Sequence, residues 1–364
     1  MLRHLNNGIW SFPTGRRTGS EPSVKVGLVS PYDLSVPGGV QAQVLGLAGY
    51  LVNHGIEPMV IGPGLPAGVE GVDLGGSVTI PGNGSKVPIV IDPRCRTKLR
   101  EASVGLDLLH VHEPLMPLVS LFATRAGPPV IATFHAAPGP VGRVAYKLTA
   151  PVMRWLLGNT VAVTAVSSTA AAVLPASVGA RIIPNGLALD AMRSDVHRDP
   201  DRVSFLGRDE PRKGLDVLLA AWPRVLEAVP GATLTVMGAD RGDVGVEWMG
   251  RVDDATKAKV LGSTAVFVAP QLGGESFGIV LLEAMASGAA VVASNLDPFV
   301  DVADGAARFF PVGDSTALAK ALVEVLTDPA ERGRLASVGH EVAARYDWDV
   351  VGASYSSLYA EVAS

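Results

Sequence analysis

Short apolar runs of strand length alternate along this chain with longer stretches of helical spacing, and that alternation restricts the fold more than any other feature. Val24–Val29, Pro58–Ile61, Leu106–Val111, Val130–Thr133 and Val161–Val166 form a first series. Parallel strands need long crossover connections, so the pattern predicts βαβ units around a parallel sheet. It breaks after Ile183-Pro184-Asn185-Gly186, across the polar stretch Arg193–Arg202. It then restarts as strand Val203–Leu206, helix Leu215–Ala228, strand Thr233–Met237, a helix near Asp254–Leu261, strand Ala265–Ala269, helix Phe277–Ala286 and strand Ala289–Ala293. Two further amphipathic stretches, Ala317–Leu326 and Ala330–Ala344, finish this half, and Asp347-Trp348-Asp349 opens a terminal helix. The fold class is therefore α/β. Residues 1–23 read as a mobile extension, 24–185 and 186–345 as two doubly wound domains, and 346–364 as the closing helix, with ligands expected in the cleft between the domains.

Composition narrows the function. Hydrophobic residues make up 48% of the 364 and charged residues 18%, which suits a well-buried enzyme and excludes a disordered or coiled-coil chain. The lone cysteine, Cys95, rules out an internal disulfide and a thiolate metal cluster and suits a reducing cytoplasm. A net charge of -5 argues against nucleic acid as partner. The charge is uneven, with 11 Lys/Arg against 8 Asp/Glu over Val24–Asn185 but 16 against 26 over Gly186–Ser364. Residues 1–23 lack the continuous apolar stretch of a secretory signal. Phe277–Ser294 is the most apolar long window, yet it contains Glu283 and Gly288, so it reads as a buried helix followed by a strand.

Several strand-to-helix junctions carry candidate chemistry. Ser30-Pro31-Tyr32-Asp33 leads into Pro37-Gly38-Gly39-Val40, where paired glycines before a helix offer an anion seat or merely a turn. This is not GxGxxG, so a nicotinamide dinucleotide is disfavoured. Gly207-Arg208-Asp209-Glu210-Pro211-Arg212-Lys213-Gly214 could turn two or three cations toward a diphosphate, or could be a solvated turn in which Arg212 and Lys213 pair with Asp209 and Glu210. After the strand Ala265–Ala269, Gly273-Gly274-Glu275-Ser276-Phe277-Gly278 precedes a helix holding Glu283. A carboxylate in so apolar a helix must find donors, and sugar hydroxyls would serve. His110, His112 and His135 lie at strand ends. A zinc site with Glu113 is conceivable there, but without HExxH a hydrogen-bonded cleft role is the better reading, and no metal is assigned.

Gly274-Glu275-Ser276-Phe277-Gly278 also fits the GxSxG elbow of a serine hydrolase with Ser276 as nucleophile. Against that class, Pro270–Gly273 separates strand from elbow, and the one histidine downstream, His340, lies in a surface-type helix.

Taken in order, Pro-Gly-Gly-Val in the first loop, Ala132-Thr133-Phe134-His135, Ile183-Pro184-Asn185-Gly186, Gly207-Arg208 with Lys213-Gly214, and Glu275 to Glu283 as E-x7-E resemble glycosyltransferase family 4 over roughly Val24–Ser364. Within it, Ser30–Tyr32, His110-Val111-His112-Glu113-Pro114, Asp209–Gly214, Val252–Lys257 and Gly273–Val280 are similar to the phosphatidylinositol mannosyltransferases. The resemblance implies a GT-B fold of two facing Rossmann-like domains with the terminal helix crossing back to the first. It also implies retaining transfer of mannose from GDP-mannose to phosphatidylinositol or a related glycolipid at the inner membrane face. Another nucleotide-sugar donor or a soluble acceptor is the alternative within the family.

By the same resemblance, Arg208 and Lys213 hold the donor diphosphate, Glu283 the ribose and Glu275 the sugar hydroxyls, with Phe277 and Gly278 near the phosphate. Val252, Asp253 and Lys257 meet the base, Gly38 and Gly39 pass close to donor phosphate and acceptor, and His135 faces the reacting centre. Tyr32, Asp33, Gly39, Asn83, Ser85 and His135 form the acceptor side. No cofactor is required, and Mg2+ is admitted without being implied. Arg94, Arg96, Lys98 and Arg100, together with Arg143, Lys147 and Arg154 among apolar residues, form a basic face suited to an anionic leaflet or simply to solvent. Pro88 and Val90 stand where the resembled enzymes carry lipid-phosphate arginines, Gly238–Gly250 is too short for the usual helix and leaves that edge of the donor pocket open, and Arg208 and Lys213 stand one residue closer together.

Overall fold

The computed structural model describes residues 24–82, 85–136, 150–157 and 160–364, and of these leaves aside the side chains of 81–87, 150, 152, 154 and 176. The expectations for residues 1–23, Asn83, Arg143 and Lys147, and for the side chains of Ser85 and Arg154, lie outside the described residues. The chain divides into two compact units, one running to Gly186 and taking in Trp348–Ser364, the other spanning Leu187–Asp347.

The first unit contains β1 (Lys25–Val29), β2 (Glu57–Gly62), β3 (Gly71–Asp73), β4 (Val78–Gly82), β5 (Ser85–Ile89), β6 (Leu108–His112), β7 (Val130–Phe134), β8 (Thr160–Ala165) and β9 (Arg181–Ile182). Seven of them make one parallel sheet in the order β3-β2-β1-β6-β7-β8-β9, while β4 and β5 pair antiparallel as a separate hairpin. In the second unit β10 (Asp199–Leu206), β11 (Thr233–Met237), β12 (Val246–Trp248), β13 (Thr264–Ala269), β14 (Ala290–Ser294) and β15 (Ala307–Phe310) form a parallel sheet in the order β12-β11-β10-β13-β14-β15. Both are doubly wound orders. The direction of winding reverses beside β1 in one sheet and beside β10 in the other, and ligands of such sheets bind past the strand ends at that point.

Parallel strands lie under cover on both faces, so their sequences run apolar without alternation. Every residue of β13 and β14 is buried, as is every residue of β6 and β7. Helix Ser315–Thr327 buries Leu318, Leu322 and Val325 at helical spacing, and Asp314 caps it by accepting from the Thr316 and Ala317 amides. Asp328 caps helix Pro329–Ala344 in the same way. These caps place both helix starts one or two residues ahead of the apolar pattern. Helix Ile279–Ala286 begins later than Phe277 because Gly278 takes the left-handed conformation, φ 116°, in front of it.

The Gly238–Gly250 segment holds no helix, as its length requires. Eight residues separate β11 from β12, fewer than a helical crossover needs, yet β12 still pairs parallel to β11 and completes the sheet edge. No described helix of the protein is both long and apolar enough to cross a membrane.

The terminal helix Trp348–Ala363 docks on the first unit through glycines. A Cβ at Gly46 would lie 2.5 Å from the Trp348 ring, one at Gly186 likewise 2.5 Å, and one at Gly352 2.4 Å from Tyr50. The Gln43 amide holds Gly186 from both sides, donating to its carbonyl at 2.9 Å and accepting from its N–H at 2.8 Å. Replacing Gly46 by Leu is therefore expected to lower stability by about 1–3 kcal/mol in spite of a better helix propensity. The control is Gly333, exposed in helix Pro329–Ala344 with open space around it, where Ala should stabilise by about 0.5–1 kcal/mol. Urea denaturation of the two variants checks both signs.

Candidate active site

The candidate residues of the second unit gather on the loops that leave β10 and β13, beside the reversal of that sheet. Gly207–Gly214 and Pro270–Gly278 are fastened together. The Leu272 amide donates to the Arg212 carbonyl at 2.8 Å, and a Cβ on Gly214, φ 71°, would lie 1.8 Å from the Pro270 oxygen. Only glycine permits that approach.

Charge crosses the same seam. Glu275 Oε1 accepts from Lys213 Nζ at 2.7 Å and from Arg212 at 3.1 Å, Arg212 also pairs with Glu210 at 3.0 Å, and Arg208 reaches Glu210 at 3.1 Å. Lys213, Glu275, Glu210 and Arg212 are largely withdrawn from solvent, whereas Arg208 is 58% exposed. Of the predicted residues, Arg208, Lys213 and Glu275 thus belong to one network. Arg212 and Glu210 are joined to it without having been singled out as site residues, and the adjacency of Arg212 to Lys213 was the signal available. Of the turn alternative, the pairing of Arg212 with Glu210 is present, though shielded from solvent, and that of Lys213 is not, since its carboxylate lies 62 residues away. Three cations share two carboxylates, so the network as a whole keeps a positive charge.

Asp209 faces the short connection instead. Arg241, in the β11–β12 loop, grips it with two guanidinium nitrogens, Nε at 2.9 Å, and a third reaches Asp216 in the first turn of helix Leu215–Ala228. The hydrogen bond from Arg241 holds the Asp209 carboxyl below its usual range. The shortened edge is strapped to the cationic loop.

A second group forms on neighbouring helices. Lys257, on helix Asp254–Ser263, lies 2.7 Å from Glu283 Oε1 and 3.0 Å from Asp254. Burial works to lower its pKa, but the attraction of Glu283 and Asp254 prevails and raises it. The half-buried carboxylate in the apolar helix has its donor within the protein. Asp253 caps the same helix, its Oδ1 accepting from the Thr256 amide at 2.8 Å, and Val252 beside it is half-buried. Phe277 sets its ring edge-on against Tyr346 at 5.6 Å. Ser276 does not stand on an immediate strand-to-helix turn, since β13 ends at Ala269 and the next helix starts at Ile279, and His340 is exposed on its helix.

In the first unit the loop after β1 is built around Asp33. Its Oδ1 accepts from the Ser35 amide at 3.0 Å and the Ser35 hydroxyl at 2.5 Å, and its Oδ2 from Ser77 at 2.5 Å. Burial opposes ionisation, but these donors outweigh it and lower the pKa. The Asp33 amide donates to the Pro88 carbonyl and Tyr32 bridges to Ile89, so the hairpin strand that carries Pro88 is pinned to this loop. Gly38 sits ahead of helix Gly39–Asn53 in extended conformation, and a Cβ on Gly39 would meet open space. Cys95 and Leu99 are the buried residues of helix Cys95–Ala102, while Arg94, Arg96, Lys98 and Arg100 are exposed. Arg94 pairs with Asp92, Arg96 lies over the Phe122 ring and Lys98 donates to the Asp73 carbonyl.

Strand alternation puts His110 and His112 on one face of β6, their rings 4.3 Å apart, with Thr133 and Thr164 beside them. Tyr355 and Tyr359 of the terminal helix cover this face. His110 Nδ1 meets the Tyr359 hydroxyl at 2.7 Å and its Nε2 the Thr133 hydroxyl at 2.6 Å. His112 Nδ1 lies 2.8 Å from His135 Nε2, and Glu113 Oε1 accepts from the His135 and Ala136 amides. Glu113 itself has φ 50°, a conformation uncommon outside glycine. These groups bond to one another, His112 Nε2 excepted, and the described residues hold no cluster suited to a metal.

Burial pushes His110 down to about 3 and His135 to about 4, holds His112 well below its ordinary value, and raises Glu113 to about 7. Between pH 6.5 and 4.5 the unfolded chain protonates three histidines that the folded unit keeps neutral, whereas folding favours the protonated form of one glutamate. Unfolding of this unit should therefore take up roughly two protons, three less one, and its urea midpoint should fall on acidification through that window. A midpoint that stays level from pH 8 to 4.5 would refute the neutral-histidine cluster.

Residues 37–191 match Glycosyltransferase Family 4 and residues 200–328 match Glycosyl transferases group 1. The chain is 39% identical to the phosphatidyl-myo-inositol mannosyltransferase of Mycolicibacterium smegmatis, covering 93% of this chain and 94% of that protein. It is 36% identical to the Propionibacterium freudenreichii protein of the same name, covering 92% and 94%. Among solved structures it is similar to Anabaena HepE in complex with UDP and glucose, with a TM-score of 0.74, 15% identity and coverage of 93% and 100%. Sucrose-phosphate synthase from Thermosynechococcus elongatus gives a TM-score of 0.70 at 21% identity, covering 93% and 99%. These two likenesses support the fold. With two parallel, doubly wound sheets, paired loops at the β10 and β13 ends, and both family matches in chain order, this protein belongs to glycosyltransferase family 4 and is a glycosyltransferase of the GT-B fold.

Proposed function

We propose that the protein transfers mannose, with retention, from GDP-mannose to phosphatidylinositol or a related glycolipid at the inner membrane face. The observation that carries this reading is the Arg208–Glu210–Arg212–Glu275–Lys213 network, a net-positive cluster on two interlocked loops. Such a cluster suits a diphosphate, first as a bound group and then as a leaving group whose charge grows as the glycosidic bond breaks. Arg208, Arg212 and Lys213 would hold it, and Glu275, fixed through Oε1, would turn its remaining capacity to sugar hydroxyls. Glu283, held by Lys257, would take the ribose, with Val252, Asp253 and Lys257 about the base and the Phe277 and Gly278 amides toward phosphate. Gly38 and Gly39 would admit donor phosphate and acceptor, His135 would border the reacting carbon, and Tyr32, Asn83 and Ser85 would face the acceptor. Asp33, with both oxygens engaged, would act by shaping its loop.

The mannosyl donor and inositol lipid are supported by the names of the relatives. A further one, 30% identical over 41% of this chain, is a GDP-mannose-dependent phosphatidylinositol monomannoside mannosyltransferase of Corynebacterium glutamicum. Calorimetric titration with GDP-, UDP- and ADP-sugars tests the donor, and binding of none of them would sink the proposal. Lys213→Ala and Glu275→Gln should each cost about 10²–10³ in kcat/KM, whereas Ser276→Ala should keep most activity. Complete loss in the Ser276 variant alone would favour a hydrolase.

Exposed Arg94, Arg96, Lys98 and Arg100 suit contact with an anionic leaflet. Co-sedimentation with phosphatidylinositol vesicles should then weaken several-fold between low and high salt and fall further when the four are changed to Gln. Salt-independent binding would remove them from the interface.

A further inference from the structure

The contact between His112 and His135 assigns protons that neither residue reveals alone. The two residues stand past or at the ends of neighbouring strands β6 and β7, with His112 Nδ1 2.8 Å from His135 Nε2 and the ring planes inclined by 24°. Two neutral imidazoles joined in this way share one proton, so one nitrogen donates and the other offers its lone pair.

Which one donates follows from the far side of His112. Its Nε2 is buried and has no hydrogen-bond partner among the described residues. A buried N–H left unpaired is rarer than a buried acceptor left unpaired. The bare nitrogen of His112 is therefore Nε2, and its proton sits on Nδ1, pointing at His135. His135 Nε2 must accept, which leaves its own proton on Nδ1. His110, whose ring lies against His112, is engaged at both nitrogens by Tyr359 and Thr133, and Glu113 directs Oε1 to backbone amides, so neither competes for the shared proton.

We propose that His112 is a positioning residue that donates from Nδ1 to His135 and thereby fixes His135 as the neutral imidazole protonated at Nδ1. His135 then has no lone pair to act as a base, and what it presents is the Nδ1–H donor and the flat face of its ring. This suits a reaction whose barrier is lowered at the departing diphosphate rather than by proton abstraction. The proton assignment stands apart from the proposed function, and its effect on turnover rests on His135 bordering the reacting centre.

The test is long-range 1H–15N correlation on the full chain labelled with 15N-histidine at pH 7.5, with His135 assigned by its disappearance in His135→Asn. Native protein should show a pyrrole-type Nδ1 and a pyridine-type Nε2 for His135. In His112→Phe that pattern should shift toward the Nε2–H form, and in His112→Asn, whose amide can donate from nearly the same place as Nδ1, it should return. Turnover should follow, with kcat about tenfold lower in the Phe variant at a donor KM within twofold, and largely restored in the Asn variant. A native His135 protonated at Nε2, or a pattern indifferent to His112→Phe, would overturn the proposal whatever the activity. A shifted pattern with unchanged kcat would overturn the positioning role and the placing of His135 at the reacting centre, leaving the proposed donor site of the second unit untouched.

Discussion

A parallel sheet has to be covered on both faces, and most of this architecture answers that demand. In the first unit one face of β6 offers Leu109 and Val111 to an ordinary apolar core, and the other offers His110 and His112, joined by Thr133 and Thr164 from the next strands. Polar groups removed from water must be paired there. Tyr355 and Tyr359 answer it with aromatic cover and hydroxyls that reach this polar row, Tyr359 directly to His110. The glycines at positions 46, 186 and 352 exist as contacts of that cover, since each leaves room where the terminal helix closes down.

The second unit resolves a different conflict. Its loop at the β10 end brings three cations close together, which alone would repel. Glu275 and Glu210 interleave with them, so the cluster holds its shape while keeping surplus positive charge. Isolated surface ion pairs contribute little, whereas here most partners are shielded and each carboxylate serves two cations. Arg241 extends the same logic outward, tying the cationic loop to a connection too short to hold a helix.

Much of this was legible in the residues. Strands with continuous apolar runs and helices with clear periodicity were placed closely, Leu215–Ala228 and Thr233–Met237 to the residue. Short edge strands were not: β3 is half exposed, β9 has two residues, and β12 follows a connection that breaks the usual pattern. Motifs marked the loops that matter but not their pairings. Lys213 and Glu275 are 62 residues apart and His110 and Tyr359 are 249 apart, and no local periodicity encodes such meetings. Arg241 carried no motif at all, and its part emerges only once β11 and β12 lie side by side.

The helix that covers the histidine face is written after the whole of the second unit. Residues 187–347 form a continuous stretch with a core of its own, whereas the first unit is interrupted and is completed only by Trp348–Ala363. The last cover for the row of imidazoles and threonines in the first sheet is thus encoded after every residue of the second unit.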